Sequence, residues 1–165
     1  MKRTLAAIVL AALITGCDSK QDAPFGLKWG QSMDSVSFIK DGDCEKENGI
    51  TTCKFDNQKP FNDWSTENEL KFENNKLSQI STYLNAVSDQ NYFCAMLGLE
   101  YENISNHIES NQKFSNTIKD CRQTNLNSSE NRELLAENLD STYGKVSVYL
   151  MTDPYFGSVT YSPKE

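Results

Sequence analysis

From Leu5 to Ile14 the chain runs ten apolar residues without interruption, and beyond that apolar positions occur only in short periodic sets between polar turns. Phe25, Leu27 and Trp29 lead into Ser32, a good N-cap. Met33, Val36 and Ile39 then recur at helical spacing until Asp41-Gly42, which predicts a short amphipathic helix. Asn48-Gly49 is the strongest hairpin signal in the chain. A two-residue turn there sets Glu47 opposite Ile50, Lys46 opposite Thr51, Glu45 opposite Thr52 and Cys44 opposite Cys53. An irregular loop follows from Asp56 through Pro60 to Trp64. Glu69 to Leu84 reads as a second hairpin: Leu70 and Phe72 alternate, Asn74-Asn75 tolerate positive φ, and Leu77 is followed by Ile80, Thr82 and Leu84. The change from odd to even apolar positions after Leu77 predicts a bulge near Ser78 or Gln79.

Ser88 can cap a long helix carrying Phe93, Leu97, Tyr101, Ile104 and Ile108, with Cys94 beside that stripe. Ser110 to Asn131 is rich in Asn, Ser, Gln and Thr and reads as loop. Asn127 and Glu130 have capping-box spacing, and Leu134, Leu135, Leu139 and Tyr143 predict another helix, stopped at Gly144. Val146, Val148 and Leu150 alternate into a strand, Thr152 to Gly157 turn the chain, and Val159 and Tyr161 bring it back. Hairpins grouped apart from helices predict an α+β fold: an antiparallel sheet with helices packed on one face.

The cysteines add a constraint. Cys44 and Cys53 fall at a non-hydrogen-bonded position of the first hairpin, where strands approach closely enough for a disulfide, which leaves Cys94 to pair with Cys121. Two disulfides are therefore expected. No C-x-x-C spacing occurs and His107 is the only histidine, so neither a metal nor any other cofactor is expected.

Lys2 and Arg3 before the apolar run, and Ile14-Thr15-Gly16-Cys17 after it, have the form of an export signal ending on a thiol. This stretch resembles the lipobox of bacterial lipoproteins. The resemblance implies a diacylglyceryl group on the Cys17 sulfur, cleavage after Gly16 and acylation of the new amino group. It divides the chain into a signal peptide (1–16), a lipidated linker (17–24) and one periplasmic domain (25–165). The apolar run is too short to span a bilayer, so the expected attachment is an anchor in a bacterial envelope membrane. Asp18 resembles the residue that retains enterobacterial lipoproteins in the inner membrane, which favours that membrane over the outer one.

Loss of the leader with Lys2 and Arg3 would take the formal net charge from −7 to −9. Nucleic acid is thereby argued against, because phosphate binding needs basic patches. Asp41, Asp43, Glu45 and Glu47 crowd the first hairpin without the spacing of a calcium loop, and read as a charged edge strand. Nucleophilic catalysis would have to use His107, which sits on the flank of its helix, and no phosphate loop or H-E-x-x-H pattern occurs. Tyr155 and Phe156 in a turn and Trp64 in a loop are candidate partner-binding aromatics.

Gly30-Gln31-Ser32, three intervening residues and then Val36, opening a helix that leads to antiparallel strands, resembles the start of the SmpA/OmlA (BamE-like) and β-lactamase-inhibitor-like small lipoproteins. The chain departs from them in Gln31, where Met is usual, in a longer second half and in its two expected disulfides, so a role in outer-membrane barrel assembly is not carried over. The expectation is a non-catalytic, lipid-tethered periplasmic protein that binds an envelope or toxin protein, as an inhibitor, immunity or assembly factor. The contrasting class is an envelope hydrolase with a carboxylate site.

Overall fold

The computed structural model describes residues 20–85, 92, 94, 95, 133–152 and 155–164. Seven strands make one antiparallel sheet: β1 (Asp43–Glu47), β2 (Ile50–Asp56), β3 (Glu67–Glu73), β4 (Lys76–Asn85), β5 (Glu133–Ser141), β6 (Gly144–Thr152) and β7 (Tyr155–Ser162), in the order β1-β2-β3-β4-β7-β6-β5. Two meanders, β1 to β4 and β5 to β7, are thus joined edge to edge through β4 and β7. Asn48 and Gly49 at φ 49° and 82° turn the first hairpin with the expected register, and Cys44 and Cys53 are bridged across a Cα separation of 4.0 Å. Asn74 and Asn75 at φ 51° and 63° turn the next hairpin. Ser78 is its bulged residue, since Lys71 faces Gln79 while Phe72 faces Leu77.

Among the described residues the expected helices packed on one face are not found: Tyr92, Cys94 and Ala95 are helical, and the other helical elements are three 3-10 turns, Pro24–Gly26, Met33–Ser35 and Ile39–Asp41. Met33, Val36 and Ile39 are spaced by three throughout, the period of a 3-10 turn, and Val36 itself is extended at φ −81°, ψ 112°. Val36 is buried and Met33 and Ile39 pack on the core, but the backbone between them is broken and forms no helix. The helix expected over Leu134 to Tyr143 is strand β5. A bulge between Ala136 and Leu139, with Asn138 at φ 53°, resets the alternation, so that Leu134, Ala136 and Leu139 face Leu150, Val148 and Val146. Two strand phases separated by a bulge mimic helical spacing. The helix expected from Ser88 to Ile108 lies outside the described residues except for Tyr92, Cys94 and Ala95, which are helical. The loop from Ser110 to Asn131 lies outside them as well.

One face of the sheet carries the core: Cys53 and Phe55, then Leu70 and Phe72, Leu77, Ile80 and Leu84, Val159 and Tyr161, and Val146 and Val148. A strap formed by residues 20–42 lies over it, burying Ala23, Leu27, Trp29 and Val36. Residues of the stretch expected to be linker also contact the rest of the strap: Asp22 pairs with Lys28, and Lys20 Nζ donates to the Gly30 carbonyl at 2.9 Å. Gly30 N–H donates to the Leu77 carbonyl and Leu77 N–H to the Gln31 carbonyl, both at 2.9 Å, which ties the strap to β4 just before the Ser78 bulge. At the far side the Trp29 indole N–H donates to the Tyr143 carbonyl. Phe25 and Phe38 of the strap, Phe55 of β2 and Phe61 of the following loop form one ring cluster, with centroids 5.2–5.5 Å apart.

Where two disulfides were expected, one joins two described cysteines. Cys94 is buried and disulfide-bonded, while its expected partner Cys121 lies outside the described residues. The Cys44–Cys53 bridge pins the edge strand β1, whose five residues are all exposed and bury nothing of their own. Replacing both cysteines with alanine should cost about 2–3 kcal/mol by the loop-closure argument. Denaturant titrations of variant and parent under oxidising conditions measure this, and an unchanged midpoint would mean that the edge hairpin adds nothing to cooperative unfolding.

Candidate functional site

Strand alternation leaves a second face of opposite character. Its residues come from the phase between core positions: Glu69, Lys71, Gln79, Ser81, Tyr83, Lys145, Ser147, Tyr149, Phe156, Ser158 and Thr160. They form two zones. One is a hydroxyl and amide row in which Gln79 Nε2 donates to Ser81 Oγ at 3.0 Å and the Ser81 and Thr160 hydroxyls are hydrogen-bonded to each other at 3.1 Å. Glu69 is buried beside it, with Lys71 Nζ 3.4 Å from its Oε1. The other zone is aromatic: Phe156 packs between Tyr83 and Tyr149, at centroid distances of 5.9 and 6.1 Å. All three rings are half-buried. Burial raises the Tyr83 phenol above its ordinary range; a hydrogen bond with Ser81 opposes that shift, and the charges of Glu69 and Glu67 add to it.

At the end of this face nearest the β3–β4 turn lies a groove of about 820 Å³, reaching from Glu73 on β3 past Gln79 on β4 to Asn138 and Asp140 on β5. Lys145 Nζ is 2.7 Å from Asp140 Oδ1. Its hydrogen bond and charge, with a smaller contribution from Lys164, hold the Asp140 carboxyl below the usual range. Among the described residues no three His, Cys, Asp or Glu side chains are grouped to hold a metal ion, and no helix is long and apolar enough to cross a membrane.

The expected site residues are scattered over this framework. Tyr155 and Phe156 lie on strand β7 and not in a turn, because β6 continues to Thr152, which pairs directly with Tyr155. Phe156 joins the aromatic zone. Trp64 packs against the core. Cys17 and Asp18 lie outside the described residues, as do Cys121 and His107. The acidic run at Asp43, Glu45 and Glu47 forms the exposed edge strand β1. Gly30, Gln31, Ser32 and Val36, which carry the resemblance to small lipoproteins, sit in the strap; the helix they were expected to open is replaced by the Met33–Ser35 turn. Sequence reasoning missed Tyr83 and Tyr149. Their signal was present as the off-core phase of each alternating strand, where Tyr83 follows Ser81 and Tyr149 follows Ser147 by two residues. Compared with known protein families, with curated proteins and with solved structures, the chain matches none.

Proposed function

We propose that this chain is a non-catalytic binding protein of the bacterial cell envelope, anchored by acyl chains on Cys17 and facing the periplasm. The observation that carries this reading is the leader: two basic residues, ten apolar residues and Ile14-Thr15-Gly16-Cys17. The bond from Lys20 to the Gly30 carbonyl sharpens it. Three residues from Cys17 span at most about 10 Å, so the sheet would ride against the lipid headgroups with little freedom to swing away. Asp18 favours the inner membrane. A cross-strand disulfide suits an oxidising compartment.

Recognition is assigned to the aromatic zone around Phe156, where rings bury large area at low entropic cost. The target is an envelope or toxin protein, and the acidic balance of the chain favours a basic one. This suits an inhibitor, immunity or assembly role. The test is affinity capture of the anchored protein from crosslinked envelopes, in parallel with Phe156→Ser. One stoichiometric protein retained by the parent and lost in the variant is the expected result. An identical catch from both would remove the aromatic zone from recognition, and turnover of an envelope polymer without any partner would overturn the binding role.

A further inference from the structure

The row of the second face that holds Tyr83 is acidic at one end and aromatic at the other. In it Asp56 of β2 faces Glu67 of β3, Glu67 faces Tyr83 of β4, Tyr83 faces Ser158 of β7, and Ser158 faces Tyr149 of β6. Like charges directly opposite one another destabilise a strand pair, and neither Asp56 nor Glu67 makes a salt bridge among the described residues. No cation stands in their row. In the next row Lys54 stands between Asp43 and Glu69, and Glu69 is buried with Lys71 Nζ 3.4 Å from its Oε1, an oxygen that accepts no hydrogen bond among the described residues. This corner of the face therefore sets four carboxylates against two ammonium groups, and both ammonium groups lie to the side of Glu69 away from Tyr83. Burial raises the Tyr83 phenol, and the charges of Glu69 and Glu67 add to that shift, so both carboxylates stand within electrostatic reach of the ring.

A cation that meets these carboxylates must also suit the rings. Glu67 stands one strand spacing, about 4.8 Å, from Tyr83, whose ring lies 5.9 Å from that of Phe156. One side chain can therefore meet carboxylate and rings together. An ammonium would answer the charge but is compact and strongly hydrated, whereas a guanidinium is planar, stacks on aromatic rings and donates hydrogen bonds in its own plane to a carboxylate. We propose that the aromatic zone, taken as the recognition surface, seats an arginine side chain of the basic partner, its guanidinium stacked on Phe156 and Tyr83 and hydrogen-bonded to Glu67, with Asp56 adding its charge. Cys17 plays no part in this contact.

The test is an amide-resolved NMR titration of the full chain in detergent micelles. The probe is a glycine-arginine-glycine peptide blocked at both ends; the same peptide with lysine, the same peptide with citrulline, which keeps the shape of arginine without its charge, and a neutral N-acetylglucosamine trimer are titrated separately. Saturable shifts centred on Glu67, Tyr83 and Phe156 are expected with the arginine peptide, weaker ones with lysine and none with citrulline. Glu67→Gln should weaken binding about tenfold, and Phe156→Leu about fivefold. Spectra of both variants, unchanged elsewhere, serve as the folding control. Because Glu67→Gln removes one of two opposed like charges, it should leave Tm unchanged or raise it. The proposal is overturned if the arginine peptide does not bind, if citrulline binds equally well, if Glu67→Gln has no effect on binding, or if the saccharide shifts these amides in its place. Capture of an envelope protein that depends on Phe156 but not on Glu67 would also overturn it, while leaving the aromatic zone as the recognition surface.

Discussion

Replacing Phe61 with alanine should lower the unfolding free energy by about 3–5 kcal/mol, the range for deleting a buried aromatic ring. Phe61 is 2% exposed, and its ring meets Phe25, Phe38 and Phe55 at 5.2, 5.5 and 5.3 Å. These partners belong to two separate parts of the strap and to β2, while Phe61 comes from the loop after β2. Removing it would leave a void bordered by three rings that the backbone cannot close without moving the strap. For a domain of this size the loss corresponds to a fall in Tm on the order of 10 °C. Urea unfolding followed by tryptophan fluorescence reads it, because Trp29 and Trp64 both belong to the same core. Ile50→Ala, at an exposed position of β2, is the control and should change stability by less than about 0.5 kcal/mol. A loss below about 1 kcal/mol for Phe61→Ala would mean that the ring cluster does not hold the strap on the sheet.

Gly144→Ala should be comparably damaging for a different reason. Gly144 has φ 132°, a conformation that L side chains rarely adopt, and an added Cβ would lie 2.1 Å from the Ser162 carbonyl oxygen. That neighbour is backbone on β7, fixed by pairing with β6, so the clash cannot be relieved by turning a side chain. The Gly144 carbonyl also accepts the Ser141 hydroxyl at 3.0 Å, so movement of the turn would cost that bond too. A loss of more than about 2 kcal/mol is expected, from strain of 1–3 kcal/mol with the clash added. Gly49→Ala provides the comparison. It shares a positive φ, 82°, but a Cβ there has nothing within 4 Å, so only the backbone penalty of about 1 kcal/mol applies. Equal losses in the two variants would show that the contact with Ser162 is not a constraint.

The sequence disclosed what depends on neighbours in the chain. Asn48-Gly49 and Asn74-Asn75 set their hairpins through the φ values those residues tolerate, the Cys44–Cys53 bridge follows from counting outward from its turn, and a bulge at Ser78 or Gln79 follows from the change of apolar parity after Leu77. The errors arose where counting was interrupted. At Asn138 a bulge splits β5 into two phases whose leucines imitate a helix face, and Met33, Val36 and Ile39 carry a period of three that was read as a fragment of 3.6. Contacts between distant segments left no local trace. The pairing of β4 with β7, the Trp29 bond to Tyr143 and the Phe25, Phe38, Phe55 and Phe61 cluster join residues whose periodicities are independent of one another. The candidate site suffers most from this. Its rings come from three strands of two meanders, and the groove lies at the boundary between those meanders.

Anchoring through one thiol is the claim on which the functional reading stands, and incorporation of radiolabelled palmitate tests it most directly. Parent protein expressed in a bacterial host should carry the label and sediment with membranes, whereas Cys17→Ser should carry none and leave the membrane fraction. An unlabelled parent, or a Cys17→Ser variant that still sediments with membranes, would contradict the account.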